Sequence, residues 1–365
     1  MIVKNEAQNL PRCLSSVQPY VDEMIIVDTG STDESVAIAQ QFGAQVSHFT
    51  WCNDFAAARN AGLSLATGEW ILVLDADEEL VVENLDLRQC LQASTAVREY
   101  SLLLVNQHQG ANNQTPPPLM RLFRNLPGVQ YVGCFHEHAA YAQPTPGFDR
   151  SELLVGVKIF HYGYAPELKV QKMRDRNIPL LESMRQRGEL GLMRLTCLAD
   201  MYEVTGNLEQ SQACFQEAFD LLLPHLLQGV CPTETGYLRF LLYKIAWQTL
   251  EAENYETAQL LLKNGLVWFP NYPPLVYLAG LLLCYLGFYR GAIPYFQACL
   301  EIGDRYDQAE PFDKAYLTSH PAFSLGRCWM ELRQWQEARA AFQLALKFDP
   351  DYVPAQERLA EIAEH

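Results

Sequence analysis

Over roughly the first 165 positions, short apolar runs alternate with amphipathic stretches; after that the period becomes helical and stays so. Met1-Ile2-Val3 and Met24-Ile25-Ile26-Val27 are of strand character, the second closed by Asp28, and residues 45–49 form a third short run. Trp70-Ile71-Leu72-Val73-Leu74 is the strongest such run and stops abruptly at Asp75, Asp77, Glu78 and Glu79. Between these runs lie helical signals. Asn9 is placed to cap a helix with Pro11 in its first turn and Leu10, Leu14 and Val17 on one face. Ser31-Thr32-Asp33-Glu34 has the form of a capping box and opens a helix through Ala37, Ile38 and Phe42 that Gly43 ends. Residues 54–66 form an Ala-rich helix closed by Gly68. Strand alternating with helix predicts a parallel, doubly wound sheet, with 70–74 as a central strand buried on both faces. Beyond Glu79 the pattern loosens: a helix near 85–91, strands at 100–105, 120–123, 129–136 and 154–160, and a Pro-rich loop over 107–118. A charged amphipathic helix over 169–187 leads onward.

From residue 190 the chain is repetitive. Aligning Ala258, Ala292 and Ala338 also aligns Leu262, Phe296 and Phe342, and Pro270 and Pro350 close their units. Tyr202, Ser211, Phe215 and Ala218 stand at matching offsets in an earlier copy, and the clearest copy holds Leu325, Gly326, Trp329, Ala338, Phe342, Ala345 and Pro350. Small–x₃–aromatic spacing with a closing Pro is the tetratricopeptide pattern of stacked helix pairs. About four units fit between residue 190 and the end. The expected organisation is therefore an α/β domain over 1–165, a linker helix over 166–189 and an all-α solenoid over 190–365.

Composition narrows the function. The 365 residues carry a formal charge of -16, which argues against a nucleic-acid binder because phosphate contacts need clustered cations. No apolar run reaches membrane-spanning length and no apolar leader follows Met1, so a cytoplasmic location is expected. The ten cysteines are scattered without C-x-x-C or zinc spacing, as expected of buried thiols in a reducing compartment.

The candidate chemistry begins at 68–79. Residues beyond the carboxyl end of a strand in an open α/β sheet sit where such sheets bind ligands. In an extended segment Asp75 and Asp77 point the same way, and two hard oxygen donors suit Mg²⁺ or Mn²⁺, which in turn holds phosphate. The alternative is that this acidic run merely caps a following helix.

Four stretches in order, MIVKNE at 1–6, VDTGSTD at 27–33, DFAAARN at 54–60 and LDADE at 74–78, resemble a subgroup of the family-2 glycosyltransferases of GT-A fold. LFRN at 122–125 and His136-Glu137 extend the resemblance, and the subgroup includes members joined to tetratricopeptide repeats. The resemblance implies a metal-dependent, inverting transferase that moves a sugar from a nucleotide-diphosphate donor to a peptide, protein or saccharide acceptor. Asp28 would then accept a hydrogen bond from the base N–H, a role favoured over capping because Ser31 and Asp33 are available for that. Asn5 and Glu6 would bind ribose or order their loop. Arg59, followed by Asn60, would face the diphosphate; its alternative is an ion pair with Asp54. Asp75 would neighbour ribose or metal, Asp77 would ligate the Mn²⁺ or Mg²⁺ directly, and His161 would be a further ligand. Glu137 is the first choice of catalytic base and His136 the second, on the expectation that a strand turns His136 and His138 to one face and Glu137 to the other. Arg121 and Arg124 would steer acceptor or phosphates, or be solvated at a strand edge. The repeats would bind the acceptor or another protein, or mediate self-association. A transferase acting on lipid-linked saccharide and a catalytically idle adaptor are the competing readings.

Overall fold

The computed structural model describes residues 1–106, 118–162, 166–303 and 312–362. The expected loop at 107–118 lies almost wholly outside them. The chain divides into two compact units, Met1–Asp175 and Arg176–His365.

The first unit opens with β1 (Ile2–Val3), α1 (Leu10–Val17), β2 (Ile25–Asp28), α2 (Ser35–Gln41), β3 (Gln45–His48) and α3 (Phe55–Leu63). The three strands pair in parallel in the order β1-β2-β3, as the alternation predicts. α1 buries Leu10, Cys13, Leu14 and Val17. Its Asn9 is not a side-chain cap: the residue is already helical, and its amide donates to Glu6 Oε2 at 2.8 Å. The capping box at 31–34 is also not used as expected. α2 starts four residues later, at Ser35, whose N–H and hydroxyl both donate to Asp33, while the Ser31 hydroxyl accepts the N–H of Asn5 at 3.0 Å.

The chain continues with β4 (Trp70–Leu72), β5 (Glu78–Val82), α4 (Leu87–Ala93), β6 (Val97–Asn106), β7 (Leu119–Arg124), β8 (Val129–Val132), β9 (His138–Tyr141), β10 (Arg150–His161) and α5 (Pro166–Lys172). Here the central-strand expectation fails. β4 lies at the edge of a five-stranded sheet ordered β4-β7-β6-β10-β5, pairs antiparallel with β7, and is half-buried along its length. A Val/Ile/Leu run reads the same in either setting, because periodicity reports burial and not pairing direction. β5, antiparallel to β10, is concealed in the sequence by the acidic residues at its start. Residues 73–77 thus join strands at opposite edges of one sheet. The expected strand over 129–136 is instead a hairpin, β8 and β9, with His136 in the left-handed region at φ 54. Leu80, Leu102, Val157 and Ile159 are central to one core, and Ala56, Phe123, Tyr131 and Ala139 pack together in a smaller one.

The second unit is helical. The bridging segment is interrupted: α5 gives way to a π-turn at Met173–Asn177 and then to α6 (Ile178–Gln186). Helices then pair as α7 (Leu192–Val204) with α8 (Leu208–Gln228), α9 (Leu238–Glu251) with α10 (Tyr255–Trp268), α11 (Pro273–Tyr285) with α12 (Tyr289–Ile302), and α13 (Ser319–Glu331) with α14 (Trp335–Phe348). α15 (Val353–Glu361) comes last. Among the described residues these helices form four consecutive pairs. Ala258, Ala292, Ala338, Phe296 and Phe342 are all at 0% exposure. Each Phe ring lies against a glycine of the preceding helix: a Cβ at Gly280 would sit 2.7 Å from Phe296, and one at Gly326 2.4 Å from Phe342. Among the described residues no helix is long and apolar enough to cross a membrane.

Candidate active site

The charged residues at the carboxyl end of β4 form one network. α3 is capped by Asp54, whose carboxylate accepts the N–H of Ala57 at 2.9 Å. Asp54 is therefore not the partner of Arg59. One turn on, Arg59 reaches across to donate from Nη2 to Asp75 Oδ1 at 3.0 Å and from Nε to Glu137 Oε1 at 2.6 Å. Arg121, from β7, donates to Asp75 Oδ2 at 3.3 Å and to Glu78 Oε1 at 2.7 Å. Glu78 closes the loop by accepting the Asp75 N–H on Oε2 at 2.8 Å, while its own N–H donates to the Asp75 carbonyl at 3.0 Å. The chain from Asp75 to Glu78 is a turn, so Asp75 and Asp77 do not project side by side from an extended strand.

The electrostatics follow from this packing. Burial would raise Asp75, but Arg121 and Arg59 outweigh it and hold the carboxyl far below the usual range. Burial, reinforced by the charge of Asp75 and opposed by Arg121, pushes Glu78 up to about 7. The guanidinium of Arg59 is held protonated more firmly than usual because the charges of Asp75 and Glu137 outweigh its burial. Glu78 is a site residue that the sequence does not single out. It stands in LDADE, but nothing in the string distinguishes a buried, doubly bonded acid from a capping one.

Asp77 faces the other way. Its Oδ2 lies 3.5 Å from His161 Nε2 and 3.8 Å from Lys172 Nζ. Burial would raise its pKa; the contact with His161 outweighs that and lowers it. His161 Nδ1 lies 3.1 Å from Asn106 Oδ1, which leaves Nε2 on the Asp77 side. Two donors thus converge, and Mg²⁺-type ions are commonly held by one or two protein groups plus substrate phosphates. Asp75 does not fit as a third: both its oxygens are occupied by guanidiniums. Among the described residues no three His, Cys, Asp or Glu side chains gather in metal-holding geometry.

The remaining candidates have structural duties. Asp28 is 3% exposed, and its oxygens take the N–H groups of Ser31 at 3.0 Å and Gly30 at 3.3 Å, with His48 Nδ1 at 3.2 Å. It organises the loop that Ser31 and Asp33 were expected to organise. Asn5, at φ 56, accepts the Thr32 N–H at 2.7 Å, and the Glu6 N–H donates to Ser35, so both order their loop. Asn60 clamps β8, donating to the Tyr131 carbonyl at 2.9 Å and accepting its N–H at 2.7 Å. Arg124 is neither solvated nor free to steer a ligand. It lies between Trp70 and Phe148 at 4.4 and 4.6 Å, bonds the Val97 carbonyl at 2.9 Å and pairs with Glu69. Glu137 and His136 do not alternate on a strand: the strand has already ended at Val132, leaving His136 exposed and Glu137 turned inward to Arg59.

Residues 1–126 match the family model described as Glycosyl transferase family 2, and residues 321–352 match that of the tetratricopeptide repeat. The amino-terminal unit carries a family 2 glycosyltransferase domain. A TPR repeat-containing protein of Synechococcus elongatus is 40% identical over 209 residues, covering 55% of this chain and 47% of that protein. Glycosyltransferase SunS of Bacillus subtilis is 30% identical over 189 residues, covering 50% of this chain and 44% of SunS. An uncharacterized glycosyltransferase of Rickettsia felis is 40% identical over 119 residues, 32% of this chain and 41% of its own length. The chain spans less than half the length of these curated relatives. Among solved structures, MamA is similar at 14% identity and TM-score 0.37, covering 54% of this chain and 90% of MamA. In the glycosyltransferase domain, all four motifs that carried the resemblance lie within the matched residues, whereas Glu137 and His161 lie beyond them.

Proposed function

We propose that this protein transfers a sugar from a nucleotide-diphosphate donor to a peptide or protein acceptor, with inversion at the anomeric carbon and with a divalent cation at Asp77 and His161. The observation that carries this reading is that the 75–78 turn beyond β4 holds an Asp77–His161 pair and an Arg59–Asp75–Arg121 network in the amino-terminal unit, whose residues 1–126 match the family 2 glycosyltransferase model. When bound, the cation supplies positive charge that offsets the charge of the departing diphosphate. Arg59 and Arg121 add fixed cationic donors suited to bidentate contact with phosphate, and Asp75 holds both in place. Glu137 is the base that takes the acceptor proton; its bond to Arg59 fixes its orientation. His136, exposed on a left-handed backbone, is less well held for that task. The helix pairs supply a repeated surface for the acceptor polypeptide.

The test is a panel of nucleotide-diphosphate sugars offered to the full chain with and without Mn²⁺, read by calorimetry and by release of the nucleotide diphosphate. One donor is expected to bind more tightly with Mn²⁺ and to turn over. No turnover of any donor, together with no metal-enhanced binding, overturns the proposal in favour of a repeat protein with an idle transferase domain.

A further inference from the structure

The cysteines are dispersed along the chain, yet two converge in the repeat unit. Cys284, near the end of α11, and Cys328, within α13, place their sulfurs 3.4 Å apart across 44 residues of sequence. α11 and α13 are the first helices of successive pairs, so the two thiols meet at a repeat junction. Sulfurs at this separation are in van der Waals contact, and a covalent S–S bond of about 2.05 Å needs them to draw closer by a little over 1 Å. The two are unequal in access: Cys328 is 0% exposed, whereas Cys284 is half-buried and reachable.

We propose that Cys284 and Cys328 form an oxidation site, at which a hydroperoxide closes an intrachain disulfide between α11 and α13. The Cys284 thiolate attacks the terminal peroxide oxygen and the O–O bond breaks. An alcohol, or water from hydrogen peroxide, leaves with a proton, and Cys284 becomes a sulfenic acid. The Cys328 sulfur then attacks the Cys284 sulfur. The S–O bond breaks, and the hydroxyl leaves as water with the Cys328 proton. Two thiols have lost two electrons in all, and the peroxide has gained them.

The surroundings suit this division of labour. The two thiols share one S–H···S contact in which either can donate; when the Cys328 S–H donates, it favours the Cys284 thiolate, with help from Arg327 and against burial and Glu331. Of the two, Cys284 is the more accessible to an oxidant. In a stack where each pair touches only its neighbours, the cross-link fixes one junction and leaves the others as they were.

The experiment uses the full reduced chain treated with hydrogen peroxide. Remaining thiols are then alkylated under denaturing conditions, and tryptic peptides are read by mass spectrometry. The expected product is a cross-linked peptide pair joining 284 to 328, two hydrogen masses below the sum of its parts, in protein that stays monomeric on a non-reducing gel. Cys328→Ser should give no cross-link and leave a sulfenic acid at Cys284 that dimedone traps. The proposal is overturned if Cys284 and Cys328 of the unaltered chain are both recovered alkylated under conditions that oxidise the exposed Cys52. It is equally overturned if Cys284 pairs indiscriminately with other cysteines.

Discussion

Gly326 gives the sharpest test of how the repeats are held together. An alanine there would put Cβ 2.4 Å from Phe342 Cε1 and 2.5 Å from Cδ1, where carbon atoms need about 3.5–4.0 Å. The ring has little room to retreat. Phe342 is fully buried beside Ala338 and Ala345, and the Phe323 ring lies 5.6 Å away centre to centre. Overpacking of this kind costs about 1–3 kcal/mol, and the better helix propensity of alanine returns about 1 kcal/mol. So short a contact belongs in the upper half of that range, leaving a net loss of about 1–2 kcal/mol and a Tm lower by roughly 2–8 °C. Gly291→Ala on α12 is the control. Its new Cβ would lie 3.7 Å from Leu283, an ordinary contact, so the change should stabilise by about 0.4–1 kcal/mol. Urea unfolding monitored by circular dichroism would measure both. Shortening the ring should relieve the clash, so Gly326→Ala should cost less in a Phe342→Leu background, which a double-mutant cycle detects. An unfolding midpoint for Gly326→Ala at or above that of the parent, with Gly291→Ala behaving as expected, would refute the reasoning.

Three further outcomes are expected. Glu137→Gln should lower the rate of sugar transfer by about 10²–10⁴ while leaving donor affinity nearly unchanged in calorimetry; a loss confined to affinity would remove Glu137 from the role of base. Asp77→Asn should abolish the enhancement of nucleotide binding by Mn²⁺, whereas Asp28→Asn should show itself mainly as lost thermal stability, since its carboxylate serves the loop. Burial lowers the proton affinity of His320 in the folded repeats below its ordinary 6.5, so in that window the unfolded chain binds more protons. Stability from this residue is therefore present above about pH 6.5 and lost as pH falls below it, and His320→Gln should flatten that slope in melts recorded from about pH 7 to 5.

The helical repeats are legible in the sequence because their signal is local: small and aromatic residues at fixed spacing meet within one helix pair. The parallel strands β1 to β3 are legible for the same reason, each with its own helix between. Legibility ends where contacts become long-range. β4 carries the signature of a buried strand, but its partner is β7, about fifty residues on, and no periodicity encodes which neighbour a strand takes. At the site, Arg59 stands out of place among alanines, yet its partner Glu137 lies 78 residues away. Asp28, Asn5, Glu6 and Asn60 read as ligand-facing because polar side chains at strand ends look alike, whether they meet a substrate or a backbone N–H. Glu78 and the Cys284–Cys328 contact are invisible for a complementary reason: burial and sulfur proximity are properties of packing and not of spacing.

The passage of residues 73–77 between β4 and β5 has a geometric corollary. Four gaps of about 4.8 Å separate the two edge strands, about 19 Å across a flat sheet. The six steps from Leu72 to Glu78 reach at most roughly 20–22 Å fully extended, and the bend between Asp75 and Glu78 shortens them. So short a link favours a twisted, curled sheet over a flat one. The 73–77 segment thus ties the two edges of the sheet covalently, so their spacing at this end is limited by backbone length and not by side-chain packing alone.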